Sequence, residues 1–149
     1  MQELTETEAR DLMERAEVAH LGVIADGEPY VTAVSFVISG NLFLFRTGPG
    51  RRLKAIESGS PVCVEVSEYD SETGDWASVV AVGPGSVIAD AALESGTVDA
   101  LYAKYRKVIE SSLTLETAVG SVAVAVMMGR ISGRSSGKAW APRTRPGRL

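Results

Sequence analysis

The chain has 149 residues, of which 45% are hydrophobic and 23% charged, and its net charge is −4 at pH 7. These values are typical of one globular domain, and the absence of a dominant basic face argues against nucleic acid as a partner. The single cysteine, Cys63, excludes an internal disulfide. No apolar run approaches the ~20 residues that cross a membrane, and no targeting segment is recognisable, so we expect a cytoplasmic protein without membrane contact.

The N-terminal part of the chain predicts a helix followed by a β-hairpin. The helix is predicted over residues 5–18, because its first residue and Glu8 fit a capping box and apolar residues recur at helical spacing. A strand over residues 20–25 follows, and Asp26-Gly27 is a strong hairpin turn. The next strand is predicted over residues 31–38. We expect the helix to lie across one end of a β-barrel.

The stretch between Gly40 and Pro61 combines a strand, a glycine loop and a helix. The strand is predicted over residues 42–47, and Gly-Pro-Gly then breaks the chain before Arg51 and Arg52 open a helix. Loop N–H groups, a helix start and guanidinium forks suit phosphate oxygens. This arrangement predicts a concave anion site. The alternative interpretation is that both arginines are solvated charges on a surface helix.

The second half of the chain predicts further strands and one helix. The predicted bounds are residues 62–68, 76–82, 86–89 and 119–128 for strands, and 97–110 for the helix. Many short strands with turns between them suggest a closed antiparallel barrel. The predicted fold class is therefore mainly β with flanking helices. Tyr102 and Tyr105 lie on the apolar face of the predicted helix and are expected in the core.

Residues 1–132 are predicted to form the single domain, and residues 133–149 a basic tail rich in glycine, serine and proline. Trp140 stands alone among polar residues of that tail. Two roles are equally open for Trp140: it packs on a partner subunit, or it covers a bound cofactor. A disordered tail is the other alternative.

The sequence offers little catalytic machinery of its own. His20 is the only histidine, the acidic residues form no obvious pair, and no metal-ligand spacing is present. We therefore expect no metal site and cannot name a catalytic residue. An enzyme built this way needs a cofactor to carry its chemistry.

In order and spacing, four segments resemble the pyridoxamine 5'-phosphate oxidase-like, flavin-binding split-barrel superfamily. Within it, the chain is most similar to the branch that includes nitroimidazole-reductase-like proteins. The segments are residues 19–37, 40–61, 61–66 and 76–83. The resemblance covers residues 18–90, with weaker agreement to about residue 130. It implies a split antiparallel β-barrel that binds FMN at the interface of a homodimer.

The resemblance also implies which residues hold the cofactor. Thr47 matches the family's hydroxyl, Arg52 matches the basic residue of its Ser-Arg-Lys motif, and Arg51 replaces the serine of that motif. Arg46 stands where the nitroimidazole-reductase-like branch often has histidine. The cofactor-binding residues expected from the resemblance, with Trp140 added from its isolation, are Thr32, Ala33, Val34, Ser35, Arg46, Thr47, Arg51, Arg52, Ser78 and Trp140.

From the resemblance we expect an FMN-binding, flavin-dependent reductase that acts on a small molecule, with NAD(P)H as a candidate electron donor. One alternative is a deazaflavin-dependent reductase. Another is a non-catalytic flavin- or haem-binding protein. Pyridoxine-phosphate oxidase activity is not expected, because the C-terminal substrate motif of those oxidases is not recognisable.

Overall fold

A computed structural model of the chain describes residues 1–106 and 121–137. In these ranges it contains nine strands and three helices. The strands are β1 (Gln2–Glu3), β2 (Ala19–Ala25), β3 (Glu28–Val34), β4 (Val37–Ser39), β5 (Leu42–Thr47), β6 (Pro61–Tyr69), β7 (Trp76–Val87), β8 (Val122–Met127) and β9 (Arg130–Ser135). The helices are α1 (Glu6–Arg15), α2 (Arg51–Glu57) and α3 (Ala91–Lys104). None of these helices is long and apolar enough to span a membrane.

The described strands form one antiparallel sheet in the order β3-β2-β6-β7-β8-β5-β4, while β9 joins β7 to β1. Strand β7 pairs with β6 along one edge. Its other edge pairs first with β9 and then, over its last three residues, with β8. The sheet therefore divides into two half-sheets that share β7. This architecture confirms the split-barrel fold class, but the sheet is open between β3 and β4, so the expectation of a closed barrel was wrong.

The change of partner along β7 depends on Gly83. A Cβ atom at this position would lie 1.6 Å from the carbonyl oxygen of Met127. Only glycine permits so close an approach of two backbones. Just beyond this contact, the Gly129 N–H donates to the Val82 carbonyl at 3.1 Å. The Gly-Pro-Gly sequence thus lies within one continuous strand of twelve residues, in agreement with the sequence pattern, which predicted a bend or bulge there before the strand resumes.

Helix α1 begins with the predicted capping box. The Glu8 N–H donates to the Thr5 hydroxyl at 3.2 Å, and the Thr5 N–H donates to the Glu8 carboxylate at 2.8 Å. Its apolar stripe buries Ala9, Leu12 and Met13 against the main core, and α1 contacts β4, β6, β7 and β9. The helix ends at Arg15, three residues earlier than predicted, because Ala16 adopts an extended conformation.

The main core lies between the half-sheets and under α1. Alternation along β6 places its valines inward with no exposed surface, and Phe36 stacks on Phe43 with ring centroids 4.7 Å apart.

The strand predicted over residues 31–38 is interrupted. The Phe36 N–H leaves the ladder and donates to the Tyr105 hydroxyl at 3.0 Å, which separates β3 from β4.

Three further differences concern the second half of the chain. Helix α3 starts at Ala91, six residues earlier than predicted, because Asp90 caps it by accepting from the Leu93 N–H at 2.7 Å. Strand β9 was not predicted, although it includes residues 133–135, which we had assigned to the tail. Strand β8 begins at Val122, and the predicted residues 107–110, 119–120 and 138–149 lie outside the described part of the chain.

Candidate functional site

A cavity of about 280 Å³ lies where the ends of β3 and β5 meet α2 and α3. Six of the ten residues expected to bind a cofactor line it. The other lining residues are a glycine after β5 and five residues from α3 and the segments beside it. The lining residues are Ala33, Val34, Ser35, Arg46, Thr47, Gly48, Arg52, Val98, Leu101, Tyr102, Tyr105 and Ser121.

Arg52 projects from the first turn of α2 and is held by hydroxyl groups of two strands. Its Nε donates to Thr47 Oγ1 at 3.2 Å, and its Nη1 donates to Thr32 Oγ1 at 2.8 Å. A longer contact of 3.5 Å joins Nη1 to the carbonyl oxygen of Ala33. The guanidinium also lies 5.4 Å from the ring centroid of Phe45. These contacts fix the direction of the side chain and, among the described residues, leave Nη2 for a ligand.

The surroundings of Arg52 favour an anion. Burial lowers the pKa of the Arg52 guanidinium from its ordinary value, and a Coulombic interaction with Tyr30 opposes this shift only in part. The partners of the guanidinium at the cavity are hydroxyl and carbonyl oxygens that carry no full charge. A phosphate or carboxylate would supply the compensating charge through strong, charge-assisted hydrogen bonds.

Arg46 reaches the same cavity from the face of β5 that points away from the main core. Side chains alternate along a strand: Phe43 and Phe45 face the main core, whereas Leu44 belongs to a second cluster that packs against Leu101 of α3. Arg46 shares the face of Leu44. Its Nε is buried and has no hydrogen-bond partner among the described residues.

Helix α3 forms the apolar wall of the cavity. Val98, Leu101 and Tyr102 line it, with Tyr105 following directly after the helix. Tyr102 is 44% exposed, and Tyr105 is only partly buried, so the expectation that both are core residues was wrong. The tyrosines on the apolar face of the predicted helix were the one sequence feature that could have marked this wall.

The Tyr105 hydroxyl holds three segments together. It accepts from the Phe36 N–H and donates to the Glu17 carbonyl at 2.8 Å. Burial raises the pKa of the Tyr105 hydroxyl, and hydrogen bonds with the Phe36 backbone and the Ser35 side chain partly oppose the shift. A neutral hydroxyl therefore fixes the α3 wall against the β3–β4 junction.

Three of the expected site residues in the described part of the chain do not line the cavity: Thr32, which instead binds the Arg52 guanidinium, Arg51 and Ser78. Arg51 lies 4.6 Å above the Tyr30 ring and 4.0 Å from the Asp26 carboxylate, on the hairpin side of α2. Ser78 of β7 donates to Glu65 of β6 at 2.9 Å. His20 Nδ1 lies 3.2 Å from the second Glu65 oxygen. Trp140 lies outside the described residues.

Comparisons with known proteins agree with this geometry. A family model described as pyridoxamine 5'-phosphate oxidase matches residues 5–135. An uncharacterized protein of Rhizobium meliloti (strain 1021) is 25% identical over 80 residues, which are 54% of this chain and 52% of that protein. The chain thus spans about half the length of the curated relative it matches.

Solved structures share the fold at low sequence identity. An FAD-binding protein of Mesorhizobium loti has a TM-score of 0.77 at 20% identity, covering 91% of this chain and 98% of that one. An FAD- and haem-binding protein of Mycobacterium smegmatis has a TM-score of 0.70 at 22% identity, with coverages of 97% and 89%. A candidate 5-nitroimidazole antibiotic resistance protein of Bacteroides thetaiotaomicron has a TM-score of 0.70 at 14% identity, with coverages of 90% and 86%.

The match to the family model extends over β5, α2 and the strands that carry the cavity. The structural likeness independently supports the split-barrel architecture. On both grounds the chain belongs to the pyridoxamine 5'-phosphate oxidase family.

Proposed function

We propose that this protein binds a flavin nucleotide, with FMN as the first candidate, and acts as a flavin-dependent oxidoreductase on a small molecule. The observation that carries the proposal is the cavity in which Arg52, held by Thr47 and Thr32, presents a partly buried positive charge. Structurally similar proteins that are described as FAD-binding support it.

The residues at the cavity fit the chemical parts of a flavin nucleotide. Arg52 would hold the phosphate through charge-assisted hydrogen bonds from Nη2, the nitrogen that its contacts with Thr47, Thr32 and Ala33 leave for a ligand. The buried Thr47 hydroxyl stands beside it. Polar and apolar groups from Ala33 to Ser35 line the same space and suit a planar ring with polar edges.

When bound, the flavin would supply the electron transfer that no side chain can provide. The roles of the protein would be binding and orientation. Arg52 fixes one end of the ligand, and the α3 wall excludes water from the other side. As part of the same proposal, NAD(P)H is the electron donor and the cytoplasm is the site of action.

Haem is a weaker candidate for this cavity. Histidine, cysteine and methionine are the most common side-chain ligands of haem iron. None of these three residue types is found among the lining residues that the structure describes. Tyrosine, which also ligates haem iron, is present as Tyr102 and Tyr105, but the Tyr105 hydroxyl already bonds to the Phe36 N–H and the Glu17 carbonyl. A deazaflavin in place of FMN stays an alternative, because both cofactors present similar ring systems.

We further propose that the protein works as a homodimer. The cavity of one chain, at about 280 Å³, lies just below the range of ~300–1,000 Å³ usual for small-molecule sites, and a second chain would enlarge it. The outward face of β2, β3 and β6 supplies a candidate interface. Val31 and Ile24 are 63% and 46% exposed there, beside a shallow apolar groove that includes Cys63.

The proposed function is tested by the absorbance spectrum of the purified protein and by titration with FMN, FAD, riboflavin, a deazaflavin and haem. We expect a flavin spectrum, or micromolar binding of FMN to cofactor-free protein, and flavin-dependent oxidation of NAD(P)H. Binding of FMN without turnover of NAD(P)H would reduce the proposal to a flavin-binding protein. Failure to bind any flavin would overturn it.

A further inference from the structure

Arg46 is a partly buried cation with a buried Nε, and flavin binding through Arg52 does not explain it. Its Nε has no hydrogen-bond partner in the described part of the chain, and the side chain lines the cavity. Leaving a buried charged donor unsatisfied is costly, and proteins normally pair such groups. The position therefore calls for an acceptor that comes from outside the described residues.

The two arginines at the cavity lie on different faces of one strand. Arg52 bonds to Thr47 and lies over Phe45, on the face of β5 that looks into the main core. Arg46 shares the opposite face with Leu44, which packs toward α3. Because the two arginines lie on different faces of β5, we assign them separate anionic groups.

The surroundings of Arg46 indicate the rest of the ligand. Val98 and Leu101 line the α3 side of the cavity, together with the half-exposed ring of Tyr102. An anionic group at Arg46 would thus continue into an apolar or aromatic body. A carboxylate suits the guanidinium fork and needs less space than a second phosphate.

We propose that Arg46 binds the carboxylate of a small amphipathic substrate whose apolar body packs against Val98, Leu101 and Tyr102. This inference rests on the proposed function, because it assigns the substrate side of the same cavity. It makes Arg46 a substrate-binding residue and Arg52 a cofactor-binding residue.

The test compares simple carboxylates with their neutral amides. Benzoate and hexanoate, with benzamide and hexanamide as neutral probes, are titrated by ligand-observed NMR into the full chain with and without FMN. Arg46→Met removes the charge and keeps an unbranched side chain of about the length of the arginine stem up to Nε. Arg130→Met makes the same charge change on the exposed surface of β9, outside the cavity.

We expect both carboxylates to bind the wild type more tightly than the amides, and Arg46→Met to weaken carboxylate binding at least tenfold. Arg130→Met should leave carboxylate binding unchanged. The affinity for FMN should be the same in the wild type, Arg46→Met and Arg130→Met. Arg46→Lys, which keeps the charge without the fork, should retain part of the affinity. This variant decides the question if Arg46→Met does not fold.

Two results would overturn the inference: equal binding of carboxylates and amides by the wild type, or loss of FMN affinity in Arg46→Met with riboflavin affinity unchanged. The second result would place Arg46 in the phosphate site. Selective carboxylate binding by a chain that binds no flavin would support the assignment of Arg46 while overturning the proposed function, so the two failures are distinguishable.

Discussion

Arg52 Nη1 lies 2.8 Å from Thr32 Oγ1, and this hydrogen bond ties the first turn of α2 to strand β3. The same guanidinium donates through Nε to Thr47 at the end of β5. One side chain therefore connects three elements around the cavity. Its orientation is fixed before any ligand arrives, and preorganisation of this kind lowers the entropic cost of binding.

Replacing Arg52 by alanine should weaken FMN binding selectively. The loss of one charge-assisted contact is worth ~1.5–3 kcal/mol, or roughly tenfold to a hundredfold in dissociation constant. Riboflavin has no phosphate, so its affinity should hardly change. Isothermal titration of wild type and Arg52→Ala with both ligands measures the difference.

The neighbouring arginine provides a matched control. Arg51 lies against Tyr30 and Asp26, away from the cavity, so Arg51→Ala should change FMN affinity by less than ~0.5 kcal/mol. Equal losses for FMN and riboflavin in Arg52→Ala, or an equal effect of both arginine substitutions, would refute the assignment of the phosphate to Arg52.

Removing the Tyr105 hydroxyl should destabilise the fold. In Tyr105→Phe the Phe36 N–H loses its hydroxyl acceptor, and the hydrogen bond from the hydroxyl to the Glu17 carbonyl is removed. Leaving a backbone N–H such as that of Phe36 unsatisfied costs ~1–3 kcal/mol. Urea unfolding at pH 7 measures the loss, and Tyr102→Phe is the control, because Tyr102 lies on the same wall with an exposed ring.

The Tyr105 substitution should also change the alkaline limit of stability. The folded-state pKa of Tyr105 is raised, so the stabilisation by its neutral form is fully present below the unfolded-state pKa of ~10. It is lost as the pH rises from there through the folded-state pKa. The difference in unfolding free energy between wild type and Tyr105→Phe should therefore shrink above about pH 10. A constant difference up to pH 11 would contradict this account.

Alanine at position 83 should be among the most damaging small substitutions. Its Cβ would lie 1.6 Å from the Met127 carbonyl oxygen, a backbone atom that cannot rotate away. We expect a loss of ~3 kcal/mol or more in unfolding free energy. Gly96→Ala is the matched control within α3, where a Cβ meets nothing within 4 Å. It should stabilise the protein by ~0.5–1 kcal/mol through helix propensity.

The homodimer is tested on the outward face of β2 and β3. A Cβ on Gly22 would lie 3.8 Å from Val31 and 3.9 Å from Cys63, so these positions share one face. Val31→Asp should convert the dimer to a monomer in multi-angle light scattering at micromolar concentration. Val18→Asp, at an exposed valine before β2, should leave the mass unchanged. A monomeric wild type would refute the proposal.

Local sequence patterns predicted most of the elements, because capping, alternation and turn chemistry act over a few residues. The Thr5 capping box, the alternating valines of β6 and the loop before Arg51 are examples. What failed depends on distant partners. The Phe36 N–H leaves the ladder for Tyr105, 69 residues away, and strand β9 forms on the free edge of β7 although its own residues are polar and rich in glycine and serine.

The candidate site was predictable in part for the same reason. Arg52 and Thr47 lie in one short stretch, so their spacing already indicated a joint role. The α3 wall comes from a helix almost fifty residues further along, and nothing in its local pattern showed that it would face β5. The different directions of Arg51 and Arg52 follow from helix geometry, which places consecutive residues about 100° apart.

The two half-sheets share β7, so neither half-sheet can separate from the other without β7 losing a partner strand. Loss of β8 would leave one end of β7 unpaired, and loss of β9 would expose most of the other end. Separating the two half-sheets at β7 therefore always breaks backbone hydrogen bonds of β7. The amide hydrogens of β7 should exchange with solvent only when the whole domain unfolds, whereas those of the edge strands β3 and β4 should exchange through local fluctuations.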